Sequence, residues 1–150
     1  MHVNRLSALL VAALSLPLLA GCSGSNAASG IELLEQPATE ADALSARFDT
    51  TPLQPDSVRF AAKSGGISYY VALPADDENA PEEAQVKPAF CLVVMEREQT
   101  ACGGGTPVTT TFQGGSAMLV SDGTDTSPFT ADGWTRIHEN VLVIGLDEAT

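Results

Sequence analysis

The sequence predicts an α+β domain: an N-terminal helix packed on a mainly antiparallel sheet of six or seven short strands, with one hairpin closed by a disulfide. Three observations predict it. Residues 39–48 (TEADALSARF) carry helical apolar spacing, the chain from Val58 onward breaks into short strand-like runs, and Cys91 and Cys102 flank a single turn. Runs of strands following a helical segment indicate α+β organisation and not alternating βαβ units.

The first 22 residues stand apart from that domain. A short basic stretch with His2 and Arg5 precedes an apolar run from Leu6 to Ala20. That run is too short for a membrane-spanning helix, which needs about 20 residues, but suits the apolar region of an export signal. Leu19-Ala20-Gly21-Cys22 follows. This run resembles the lipobox of bacterial lipoprotein precursors. The resemblance implies a diacylglyceryl group on the Cys22 sulfur and cleavage between Gly21 and Cys22. Two acyl chains on one residue anchor stably where a single chain binds only marginally. The expected organisation is a signal peptide at 1–21, a lipidated tether at 22–30 and one small extracytoplasmic domain at 31–150. The expected location is the outer face of the cell membrane. Residues 23–30 (SGSNAASG) are small and polar, with a typical reach of about 16 Å for a flexible coil of that length.

The chain carries 7 Lys and Arg against 19 Asp and Glu, a formal net charge of −12, and Arg5 falls in the removed segment. That balance argues against nucleic acid, which requires basic patches, and against adsorption to anionic head groups. Export into a disulfide-permissive compartment leaves two cysteines once Cys22 is lipidated, and Cys91–Cys102 is their only pairing.

Along the domain, Leu33 and Leu34 suggest a short turn. Thr39 can cap a helix with Asp42 three residues on, and Ala41, Leu44 and Phe48 share one helical face. Two prolines in 49–56 (DTTPLQPD) stop it. Val58 to Ala62 reads as a first strand. In the next, Ile67, Tyr69, Val71 and Leu73 alternate with Ser68, Tyr70 and Ala72, which places Tyr69 in the core and Tyr70 on the opposite face. Residues 74–87 form an acidic loop whose charges at 76–83 lack the glycine of a calcium-binding turn. Pro88 to Met95, apolar on both faces, reads as a central strand, and Gln99 to Cys102 returns beside it after a turn at Glu96-Arg97-Glu98.

Pairing 91 with 102 in a regular hairpin demands an even-numbered loop centred between Glu96 and Arg97. It also places the two Cα atoms about 4.5 Å apart if the pair is not hydrogen-bonded. Gly103-Gly104-Gly105 reads as a turn, since no Lys-Ser/Thr or helix follows as a phosphate loop needs. Pro107 to Phe112, Ser116 to Ser121 and Asn140 to Leu146 supply further strands. Asp122-Gly123 and Asp132-Gly133 flank a polar loop.

The segments EQPATEADAL (35–44), SVRF (57–60), ISYYVAL (67–73), CLVV (91–94), ACGGG (101–105) and DGWTRI (132–137) occur in this order across the domain. In this the chain resembles a group of small secreted actinobacterial lipoproteins, most of them without known activity. The resemblance implies surface localisation and supports the disulfide. It implies no catalytic or ligand-binding residues.

Chemistry-bearing patterns are sparse. Beyond the signal segment His138 is the single histidine, no Gly-x-Ser-x-Gly elbow is present, and two thiols with a distant histidine do not make a metal site. No catalytic residue, cofactor or metal is expected. Trp134 beside Arg136 is a candidate binding edge, because both residue types are enriched at interaction hot spots, and Tyr70 is a candidate surface residue. The expected function is a membrane-tethered, non-enzymatic interaction module with an envelope protein partner. A small-ligand or cation-binding lipoprotein comes second and a cell-envelope hydrolase third.

Overall fold

The structure, a computed structural model, describes residues 30–76 and 89–145. The expected export signal, Cys22, nearly all of the expected tether and the acidic segment from residue 77 to residue 88 lie outside the described residues.

Eight strands among the described residues form two antiparallel sheets. The first sheet comprises β1 (Arg59–Ser64), β2 (Ile67–Ala72), β3 (Ala89–Val94) and β4 (Gln99–Gly104), in spatial order 1-2-3-4. The second comprises β5 (Val108–Phe112), β6 (Gly115–Leu119), β7 (Thr135–Arg136) and β8 (Val141–Ile144), in spatial order 5-6-8-7. One short helix, α1 (Ser127–Ala131), precedes β7.

The expected α+β arrangement is therefore corrected to a mostly β fold with two sheets. Among the described residues no N-terminal helix packs on a sheet. Thr39 and Asp42 do meet as anticipated, with the Asp42 Oδ2 accepting the Thr39 N–H at 2.6 Å and its hydroxyl at 3.0 Å. The turn they cap is a single 3-10 turn, Glu40–Asp42, and a second such turn occupies Glu32–Glu35. A ten-residue helix is marginal on its own, and tertiary contacts decide its fate. Here they compete with it. The Asp42 Oδ1 accepts the Phe60 N–H of β1 at 2.6 Å, and Leu44 and Phe48 spread over a sheet face while Ala41 stays exposed.

The need to cover that face follows from β2 and β3. Their sequences are apolar on both sides, and every residue of β2 is buried. One side faces the second sheet: Ile67, Tyr69, Val71, Phe90, Leu92 and Val94 pack with Val108, Phe112, Ala117, Leu119, Val141 and Val143. The other side, Tyr70, Ala72, Cys91 and Val93, is covered by Leu44, Phe48, Leu53 and Val58 from the N-terminal segment. Residues 38–58 thus act as a strap across the outer face of the first sheet. Tyr70 does point away from Tyr69, but the strap buries it, and its ring meets Phe60 edge to face at 5.4 Å between centroids. Tyr70 is consequently withdrawn as a surface candidate.

Arg59 fastens the strap. Buried at the start of β1, it donates from Nε to the Gln36 carbonyl at 2.7 Å and from Nη1 to the carbonyls of Asp56 and Val58. Charge-assisted bonds of this type are roughly twice as strong as neutral ones. Burial pushes the Asp42 carboxyl upward. The Phe60 and Thr39 donors and the Arg59 charge outweigh it and hold the group below the ordinary carboxylate value.

The β3–β4 hairpin has the anticipated register. Cys91 pairs with Cys102 and Val94 with Gln99, leaving a four-residue loop centred between Glu96 and Arg97. Cys91 and Cys102 form a disulfide with Cα atoms 4.1 Å apart, as at a non-hydrogen-bonded cross-strand pair. Glu96 leaves the loop to hold β2, accepting the Ser68 N–H at 2.5 Å and its hydroxyl at 2.9 Å.

Two stability predictions follow from this packing. Replacing Cys91 by Ser should lower unfolding free energy by about 3 kcal/mol on the chain-entropy view, and the exposed Cys102 should then react with thiol reagents. Unchanged denaturation midpoints, or two free thiols in the oxidised wild type, would count against the bond. Tyr69 is fully buried, and among the described residues its hydroxyl has no hydrogen-bond partner. Burial first, then the Glu96 charge against that of Arg97, pushes its pKa to about 12. Tyr69→Phe should therefore be neutral or stabilising, by up to about 1–3 kcal/mol, because it removes an unpaired buried group. A clear loss of stability would show that the hydroxyl has a partner.

Candidate functional site

Two places bring together side chains that the core does not consume. The first is the end of the sandwich where the described chain begins at Gly30. Gly30 turns into the domain at φ +65°, a conformation that favours glycine. Its carbonyl accepts the Asp122 N–H at 2.8 Å, and the Asp122 Oδ2 accepts the Glu32 N–H at 2.5 Å. The other carboxylate oxygen accepts the Asn140 side-chain amide at 2.6 Å. Asn140 is itself buried and donates also to the Val120 carbonyl at 3.1 Å. Asp122 and Asn140, just after β6 and just before β8, therefore clamp the first described residues, and Ile31 enters the core beside them.

His138 adjoins this clamp. Its Nδ1 accepts the Asn140 backbone N–H at 3.2 Å, which commits the lone pair on that nitrogen to the fold. Burial lowers its pKa below the ordinary histidine value, with Glu139 and Asp122 opposing the shift and Arg136 reinforcing it. Among the described residues no group of three or more His, Cys, Asp or Glu could hold a metal ion. Two shallow depressions, of about 420 and 390 Å³, lie beneath the strap (Thr39, Asp42, Leu44, Phe48) and beside the β3–β4 turn (Met95, Arg97, Gln99, Phe112). His138 lines neither.

The second place is the outer face of the second sheet. Met118, Val120 and Leu142 are buried there beneath Phe129 and Trp134, both of them half-exposed. Arg136 is exposed on β7 directly opposite Leu142, so its side chain emerges on the same face as Trp134. Its Nε donates to the His138 carbonyl at 3.3 Å. Of the three residues proposed from the sequence, the structure thus joins Trp134 and Arg136, and it leaves Tyr70 beneath the strap on the opposite side of the molecule. Phe129 was missed. Its signal was present in Ser127-Pro128-Phe129, where a proline in the first helical turn marks a helix start inside a segment that otherwise reads as polar loop.

His138 predicts a pH dependence. A histidine whose folded pKa is depressed resists protonation in the fold, so its stabilising effect is complete above the unfolded value near 6.5 and shrinks as pH falls below it. Thermal stability should therefore decline on acidification through that window, and His138→Gln should flatten the decline. Parallel curves for the two proteins would assign the effect elsewhere.

No family model, no curated protein and no solved structure matches this chain.

Proposed function

We propose that the protein is an extracytoplasmic lipoprotein, anchored through lipid on Cys22, whose domain is a non-enzymatic interaction module for a protein of the cell envelope. The carrying observation is the pairing of half-exposed Trp134 and exposed Arg136 on one sheet face, with Phe129 beside them. Tryptophan and arginine at the centre of a contact contribute most of the binding energy in known interfaces. The underlying Met118, Val120 and Leu142 hold the indole in place, so little side-chain freedom remains to be lost on binding.

Anchoring is consistent with this use of the face. The chain enters at the Asp122–Asn140 clamp, at one end of the strands, whereas Trp134 and Arg136 lie on a broad side. A tether with a reach of about 16 Å keeps the domain near the membrane and leaves that side available to a neighbour.

The test is covalent crosslinking on intact cells, comparing the anchored wild type with Cys22→Ala, Arg136→Ala and Trp134→Ala. One reproducible partner should appear with the wild type and disappear with Cys22→Ala. Its recovery should fall at least about tenfold with Trp134→Ala or Arg136→Ala, the effect of roughly 1.4 kcal/mol in binding. Arg136 is exposed, so its replacement separates binding from folding. Recovery unaffected by both face variants would sink the assignment of the site, and lipid-free Cys22 in cells would sink the anchor.

A further inference from the structure

Each sheet has two edges, and an edge strand offers unpaired N–H and C=O groups to any strand that reaches it. In this fold the edges differ in how they are guarded. β1 is bulged between Phe60 and Ala62, its Phe60 N–H is taken by Asp42, and it carries Arg59 and Lys63. β7 is only two residues long and carries Arg136. β5 shares a flank with β4, the Thr110 hydroxyl donating to the Gln99 side chain at 3.2 Å across the two.

β5 lies against the core side of β4, where Val108 approaches Gly103, and among the described residues the outer edge of β4 has none of the usual guards. All six of its residues pair with β3 in unbroken register, and the strand, Gln-Thr-Ala-Cys-Gly-Gly, has no charge, proline or bulge. Because Cys91 and Cys102 occupy a non-hydrogen-bonded pair, the alternation of an antiparallel ladder turns the N–H and C=O of Thr100, Cys102 and Gly104 away from β3. A Cβ placed on Gly104 or Gly105 would meet nothing within 4 Å among the described residues. The disulfide holds this edge in fixed register.

We propose that two copies of this chain associate edge to edge through β4, antiparallel about a two-fold axis at Cys102, to make one continuous sheet. The edge is self-complementary in that register. Cys102 meets its own copy, and Thr100 faces Gly104 of the second chain. All three outward N–H groups of each copy then find carbonyl acceptors. The paired span from Gln99 to Gly104 carries no charge, so no like charges are juxtaposed along the seam. An isologous contact of this kind closes after two subunits. The two copies carry the same strong negative charge, −12 over the full chain, so their approach is opposed by long-range repulsion. Salt screens that repulsion, and association must therefore strengthen as ionic strength rises, the reverse of an interface held by ion pairs.

The experiment uses the exported Cys22→Ala protein, followed by sedimentation from micromolar to millimolar concentration at low and high salt, with amide hydrogen exchange read residue by residue. The mass should double with concentration, at lower concentration in high salt. The amides of Thr100, Cys102 and Gly104 should slow at least about tenfold as the dimer forms. Gly104→Pro removes an outward N–H and no β3 ladder bond, and it should remain monomeric. A monomer throughout the range overturns the proposal. So does a dimer that leaves those three amides unprotected, or one indifferent to Gly104→Pro. Protection of the same amides only in a mixed complex with another envelope protein would transfer the edge to that partner and equally refute self-association.

Discussion

Everything in this domain depends on the β2–β3 pair being apolar on both faces. A strand pair of that kind cannot lie at a surface, and a second sheet can cover only one of its sides. At roughly 25 cal/mol per Å² of apolar surface, leaving Tyr70, Ala72, Cys91 and Val93 exposed would cost several kcal/mol, a large share of a small domain's net stability. The N-terminal segment meets that demand with Leu44, Phe48, Leu53 and Val58. Its path is set by a few polar contacts, chiefly the Arg59 guanidinium on three backbone carbonyls and the Asp42 carboxylate bridging the Thr39 turn to β1. The polar groups hold the strap in position, and the apolar side chains provide the driving force.

The same reasoning explains why the end of the sandwich at Gly30 is polar and built. Ordering the backbone where the chain enters the domain costs about 1–2 kcal/mol per residue. Asp122 and Asn140 supply the compensating hydrogen bonds within three residues of the entry point, and Ile31 adds complete burial. His138 leans on the clamp by accepting the Asn140 backbone N–H, and its burial makes it reluctant to take a proton.

The second sheet solves its outer face differently, and there a surface for recognition is left. A five-residue helix and one indole cover Met118, Val120 and Leu142 only in part. The cover is amphipathic, with the indole and the Phe129 ring packed on one side and open on the other. Arg136 extends the patch into solvent. An acidic molecule with 7 Lys and Arg presents one of them beside its only tryptophan.

Local information in the sequence determined what depends on neighbours along one strand or one turn. The Cys91–Cys102 bond follows from cysteine counting, the register of β3 and β4 and the four-residue loop follow from that bond by hairpin parity, and the opposed faces of Tyr69 and Tyr70 follow from the two-residue repeat. The lipobox reading of Cys22 rests on sequence alone, because that residue lies outside the described ones. What long-range packing decides was not legible. Apolar spacing at 41, 44 and 48 is the same whether those side chains line a helix or reach across a sheet, and only the unfilled face of β2 and β3 selects between the two. Nor does strand alternation say how many sheets form. Tyr70 illustrates the limit most plainly: parity places it off the central core, but a strap more than ten residues upstream in the chain removes it from solvent. Burial is a property of the whole assembly of elements, and no one segment carries it.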